Sequence, residues 1–162
     1  MARALVWFKR DLRIDDHAPL IAAAACDEAL GLFVVEPAWL VSPEFEPQHL
    51  AFLTGCIDAL RPSLHALGLP LLLRCAPMTQ VLEDLHRRLG FTHLFSHEET
   101  GPRWTWDRDR AVARWCRERG VVWQEFPQNG VVRRLASGRG WAGRWQGRMD
   151  AQELAPPTSL RG

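Results

Sequence analysis

Residues 5–20 read LVWFKRDLRIDDHAPL, and this stretch decides the fold. A bulky apolar run, Leu5 to Phe8, stops abruptly at Lys9, Arg10 and Asp11. A second charged group follows at Arg13, Asp15 and Asp16, and the alanine-rich IAAAAC then opens a helix. A short bulky run bounded in this way reads as a buried strand. Its charges then stand at the carboxyl end of the strand, where open α/β sheets bind their ligands. Asp16 is placed to cap the helix, with Pro19 tolerated in its first turn.

The same rhythm continues outward. LGLFVVE (30–36), LPLLLRC (69–75), THLFSH (92–97) and VVWQEF (121–126) read as four more buried strands. Between them lie helical patterns. One runs from 48 to 67, with Leu50, Leu53, Ile57, Leu60, Leu64 and Leu67 recurring every three or four residues. Pro62 is expected to kink or break it, and Gly68 to end it. A second covers 78–89. A third covers 104–119, with Ala111, Val112 and Trp115 inward and its charges outward. Strands alternating with helices specify an α/β fold: a five-stranded parallel, doubly wound, Rossmann-like sheet with helices on both faces. If strands one to three build outward in one direction, strand four returns to the other side of strand one. That order brings Lys9, Arg10 and Asp11 beside His97, Glu98 and Glu99, with Glu36 nearby.

After Phe126 the rhythm stops. Asn129-Gly130, Gly138, Gly140, Gly143 and Gly147 punctuate an irregular C-terminal stretch, and Ala155-Pro156-Pro157 favours an extended chain. Residues 1–127 are therefore expected to form one α/β domain and 128–162 a linker. Five Arg and no acid fall between Pro127 and Met149. With Trp141 and Trp145 spaced by four, that stretch fits docking on a missing domain better than stacking on single-stranded nucleic acid.

The totals exclude several classes. A net charge of +1 across 162 residues argues for no particular partner. The four cysteines (26, 56, 75, 116) show no metal-ligand spacing and read as reduced buried residues. No apolar run reaches membrane-spanning length and none resembles a signal peptide, so a cytoplasmic protein with no membrane partner is expected. No glycine-rich loop follows the first strand, which argues against dinucleotide and NTPase folds and against a stand-alone nucleotide-binding module. Carboxylates at strand ends can instead accept paired N–H donors from a pterin or flavin, with Trp104 or Trp106 as a stacking face. The competing reading gives Glu98 and Glu99 to the next helix N-terminus, or to Arg10 and Arg13. His17 and His97 read as structural residues.

VWFKRDLRIDDHAPL resembles the opening of the photolyase/cryptochrome family, whose first strand runs into a W-F-x-R-D-L-R-x-x-D-[NH] pattern. FVVEPAWL, SHEETGPRWTWDRDRAVARWC and EFPQNGVVRRL are similar to later segments of the same family, in order, and closest to bacterial class III photolyases. The resemblance implies a light-harvesting N-terminal domain holding an antenna chromophore: a reduced folate such as methenyltetrahydrofolate, or a deazaflavin or flavin. It implies that FAD, the damaged DNA and the lyase chemistry of pyrimidine-dimer repair belong to a helical domain absent from this chain, which alone catalyses nothing. A blue-light signalling cryptochrome is the alternative parent. Arg10, Asp11, Leu12, Arg13 and Asp16 match the family motif directly. The expected chromophore-binding residues are Lys9, Arg10, Asp11, Glu36, Glu98, Glu99 and Trp104. Arg13, Asp16, Arg133 and Arg134 are expected at the interface with the helical domain. An Asn-Glu pair used by folate-binding photolyases of another class is replaced by Arg103-Trp104-Thr105-Trp106. A folate would then be held through Glu98 or Glu99 and a Trp. The fragment is expected to be a monomer or weak dimer.

Overall fold

The computed structural model describes residues 1–133 and 137–162. Side chains along β1 (Arg3–Phe8) alternate between two cores, as the period-two geometry of a strand requires. Ala4, Val6 and Phe8 face one helical layer, and Leu5 and Trp7 face the other. All of them are buried, so β1 is the central strand. It pairs in parallel with β2 (Glu28–Val35) on one side and β4 (His93–His97) on the other. β3 (Leu71–Cys75) and β5 (Val122–Phe126) form the edges, giving the order β3-β2-β1-β4-β5. The expected strand order and fold class are those observed.

The first core lies under α1 (Ala18–Ala24) and α3 (Pro47–Ala66), through Leu20, Ala23, Ile57, Leu60 and Leu64. The second lies under α4 (Met78–Leu89) and α5 (Arg103–Arg119), through Val81, Leu82, Leu85, Val112 and Trp115. A short α2 (Pro37–Leu40), which the sequence pattern did not separate from its loop, follows β2. α3 continues through Pro62 without a break. Pro62 is solvent-exposed, so the bond it lacks falls where water can reach the freed carbonyl. α1 is capped by His17 and not by Asp16: His17 Nδ1 accepts the Leu20 N–H at 3.3 Å. Asp16 takes a left-handed backbone, φ 46°, and turns outward. The cysteines are free thiols, but only Cys116 is buried. There burial pushes the thiol up to about 12. Cys75 is exposed on the edge strand. Among the described residues no helix is long and apolar enough to cross a membrane.

The C-terminal stretch is not irregular throughout. Trp141–Met149 forms α6, which buries none of its residues. Beyond it the chain returns to the sheet. Leu154 exchanges hydrogen bonds with Asp16, and Arg161 O accepts the Ala29 N–H at 2.6 Å. Leu160 is 6% exposed, packed into the first core, with its N–H on Leu67 O. Gly68, at φ +82°, makes room for it, because a Cβ there would collide with the Leu160 carbonyl. The prediction is that Leu160→Ala costs about 2–3 kcal/mol, the usual range for emptying a leucine site in a core. Urea melts check it; a loss under about 0.5 kcal/mol would show that the returning segment is not part of the fold.

Candidate chromophore site

β1 ends beside the point where strand order reverses, between β1 and β4. The loop after Phe8 turns back at once: the Lys9 N–H donates to Asp11 Oδ1 at 2.7 Å. Asp11 Oδ2 lies 2.6 Å from His97 Nδ1 at the end of β4 and 2.8 Å from His17 Nε2 at the cap of α1. All three groups are buried. Because His17 Nδ1 accepts a backbone N–H, its proton sits on Nε2, facing the carboxylate. Burial alone would push the Asp11 carboxyl up. The two imidazoles outweigh it and hold Asp11 well below the usual carboxylate range. Burial lowers the pKa of His17, with Asp11 only partly countering. Three such side chains offer a donor set for a metal ion. Donor atoms 2.6 and 2.8 Å apart, however, are at hydrogen-bond separation, closer than two ligands of one ion with bonds near ~2.1 Å would stand. The trio is a tie between β1, α1 and β4. Asp11, expected to touch a chromophore, is engaged in this tie and lines neither of the two cavities described below.

Lys9 turns the other way. Its side chain is 5% exposed, with Nζ 3.1 Å from Asp109 and 4.0 Å from Glu125. Nζ also lies 4.2 Å from the centroid of the Trp7 ring, a cation–π contact. Burial lowers the ammonium pKa, and Asp109 opposes the shift. On the other side of this group Arg108 joins three carboxylates. Nη1 is 3.0 Å from Glu36, Nη2 3.3 Å from Glu99 and Nε 2.8 Å from Asp109. Burial pushes Glu36 up, and Arg108 pulls it back in part.

Lys9, Glu36, Glu99 and Arg108 line a cleft of about 660 Å³ between the ends of β1 and β2, the start of α3 and the first turns of α5. Its walls are aromatic and aliphatic: Trp7, Phe33, Trp39, Phe52, Leu53 and Trp104. The Trp104 indole Nε1 is buried and has no partner among the described residues. A second, polar cavity of about 430 Å³ adjoins it at the ends of β1, β4 and β5.

Of the residues expected to bind a chromophore, Glu36, Glu99, Lys9, Arg10 and Trp104 line the cleft. Glu98 does not. It lines the polar cavity and pairs with Arg133 at 3.3 Å, which also reaches Glu125 at 2.7 Å. Trp106 is half-exposed and stands between Arg103 and Arg110. Arg13 donates to the carbonyls of Asp15 and Asp16, and Asp16 holds Leu154. Arg134 lies outside the described residues. Arg108 and Asp109 were missed because the charges of α5 were assigned to its outer face. A signal was present: Thr105, Asp109, Val112 and Cys116 fall at i, i+4, i+7 and i+11, so Asp109 sits on the inward stripe.

Comparison with known proteins places the chain in a family. The sequence profile of the family described as DNA photolyase matches residues 4–136. The deoxyribodipyrimidine photo-lyase of a Synechococcus species is 28% identical over 98% of this chain and 35% of its own length. The crystal structure of a class III photolyase from Agrobacterium tumefaciens superposes with a TM-score of 0.82, at 22% identity, over all of this chain and 35% of that one. An archaeal photolyase from Sulfolobus tokodaii superposes at 0.75, with 18% identity, over 99% and 37%. It was crystallised with two FAD molecules and described as implying a novel light-harvesting cofactor. This chain thus spans about a third of the length of these relatives. The family profile over residues 4–136, the superposition on photolyase structures and the motif after β1 converge on one statement: the chain belongs to the DNA photolyase family.

Proposed function

We propose that this chain is the light-harvesting domain of a photolyase, with a heteroaromatic antenna chromophore in the cleft between β1, α3 and α5. The cleft carries the proposal. Its aromatic walls fit a planar ring, and its floor offers polar groups at one side. The fit is tested by the groups that line the cleft: Trp7, Trp39 and Trp104 offer ring faces, and Glu36 and Glu99 stand beside them as acceptors. A bound chromophore would absorb near-ultraviolet or blue light and pass the excitation on. The chain's own residues would bind and orient it: Trp104 as stacking face, Glu36 and Glu99 as acceptors held in place by Arg108. Family membership supports the rest of the proposal, in which a helical part of the parent protein holds FAD and repairs pyrimidine dimers in DNA by light-driven electron transfer.

Gel filtration of the chain mixed with methenyltetrahydrofolate, and separately with riboflavin, is the test. We predict that one of the two co-elutes with its own absorption band, and that Trp104→Ala weakens that complex about tenfold, the loss of one aromatic stacking contact. Retention of neither chromophore would refute the assignment of the cleft.

A further inference from the structure

We propose that Asn129 is a self-modification site: its side-chain amide is displaced by the Gly130 nitrogen, and Arg148 directs the product to isoaspartate. Asn129 is the only asparagine in the chain, and a glycine follows it. It lies between β5 and α6, exposed, at the wall of the polar cavity. Light harvesting makes no use of it.

Its neighbours put the amide in a reactive arrangement. The Val131 N–H donates to Asn129 Oδ1 at 2.9 Å, so the side chain folds back over the peptide bond between Asn129 and Gly130. That contact holds Cγ beside the Gly130 nitrogen. It also places a donor on the oxygen that takes up negative charge when Cγ is attacked. The Gly130 N–H has no hydrogen-bond acceptor among the described residues, and glycine brings no Cβ to shield its nitrogen. Asn129 Nδ2 donates to Thr100 Oγ1 at 3.3 Å, which gives the departing nitrogen a hydroxyl partner.

The chemistry balances with water alone. The Gly130 nitrogen gives its proton to water and bonds to Cγ. The Cγ–Nδ2 bond breaks, the departing nitrogen takes a proton back and leaves as ammonia, and a cyclic imide remains. Water then adds to one of its carbonyls. Addition at Cγ restores the ordinary backbone and leaves aspartate. Addition at the main-chain carbonyl of residue 129 frees that carbon as a carboxylate and carries the backbone through Cβ and Cγ, as isoaspartate. Arg148 decides between them. Its Nη1 donates to the Asn129 main-chain oxygen at 2.7 Å and to Val131 O at 2.6 Å. A guanidinium polarises the carbonyl it touches more than the neutral Val131 N–H polarises Cγ, and it pairs with the carboxylate that forms there. α6 is then tied to the end of β5 by an ion pair in place of a bond to a neutral carbonyl.

The test stores the purified 162-residue chain and a synthetic peptide of residues 120–133 side by side at mildly alkaline pH. Trypsin cuts after Arg119 and Arg133 and so releases the same peptide from the chain. Liquid chromatography with mass spectrometry separates its asparagine, aspartate and isoaspartate forms, and labelling by protein isoaspartyl methyltransferase identifies the last. The folded chain is expected to accumulate both products, with a ratio of isoaspartate to aspartate about fivefold above that of the free peptide. Arg148→Met should return the ratio to the peptide value. Arg148→Lys, which keeps the charge, should retain most of the excess. A chain still unmodified after the free peptide has reacted overturns the site. A ratio equal to that of the peptide, or an excess that survives Arg148→Met, overturns the role of Arg148.

Discussion

Replacing Asp11 with alanine should lower stability by about 3–5 kcal/mol, the usual result of removing one member of a buried charged group. A family-sized domain has only about 5–15 kcal/mol to lose. The carboxylate satisfies the Lys9 N–H and faces both imidazoles, all shielded from water, and each would be left without an acceptor. The same group sets the pH response. Unfolded, a histidine titrates near ~6.5 and an aspartate near ~3.9. In the fold both His17 and Asp11 have lowered pKa values, so in each case the unfolded chain takes up the proton first. Stability is then fully present above about pH 6.5 and falls as the pH drops. The fall begins below about 6.5 through His17 and steepens below about 4 through Asp11. Asp11→Asn should abolish the lower limb and keep the upper one. Thermal melts between pH 8 and 3 measure both, and a Tm flat down to pH 5 would show that His17 is not buried in its neutral form.

That tie explains why much of the site was legible in the sequence. The opening motif puts charges directly after a buried strand, and a parallel sheet that must reverse direction leaves β1 and β4 side by side. Position of the residues followed from those two facts. What each side chain does there did not. Lys9, Arg10 and Asp11 are consecutive, yet Asp11 turns into the core, Lys9 onto Trp7, and Arg10 outward to the space between the two cavities. One-residue rotations of a tight loop decide this, and no periodicity records them. Asp16 looked like the helix cap because aspartate is a preferred one. The ring nitrogen of His17, one residue on, does the same work and is also drawn to Asp11.

The returning C-terminus was illegible for another reason. Glycine and proline spacing predicts a loop correctly for 151–162, but nothing in a loop's composition says which surface it crosses. The small hydrophobic signal was Leu160, one buried leucine in a polar stretch. α6 was hidden by its two internal glycines, Gly143 and Gly147, each of which weakens a helix by about 1 kcal/mol. It is held along its second half: Arg148 bonds the carbonyls of Asn129 and Val131, and Trp145 lies against Gly130.

Arg108→Met should be as costly as the loss of Asp11, about 3–5 kcal/mol, and should also abolish chromophore binding. The methionine keeps only the aliphatic stem and loses the guanidinium that stacks on Trp7 and Trp104, so the loss reports charge, hydrogen bonds and that stacking together. Without the guanidinium, Glu36, Glu99 and Asp109 are left as nearby acids, and Glu36 is 8% exposed. Burial already pushes the Glu36 carboxyl up, and Arg108 is the chief force against it. Removing Arg108 raises it further above its unfolded value. For a group with a raised folded pKa, stability is retained at low pH and lost as the pH rises through that value. The deficit of Arg108→Met relative to the unaltered chain should therefore shrink as the pH falls from 8 to 5. Adding Glu36→Gln removes the orphaned charge while keeping its shape, so the double variant should recover about 1–2 kcal/mol of the loss at pH 8. A deficit that is constant with pH, together with additive effects of the two substitutions, would mean that Arg108 and Glu36 do not act as a pair. The floor of the cleft would then owe its shape to packing on Trp7 and Trp104 alone. Recovery of stability in the double variant without recovery of chromophore binding would separate the two tasks of Arg108, neutralising the acids and holding them in position for a ligand.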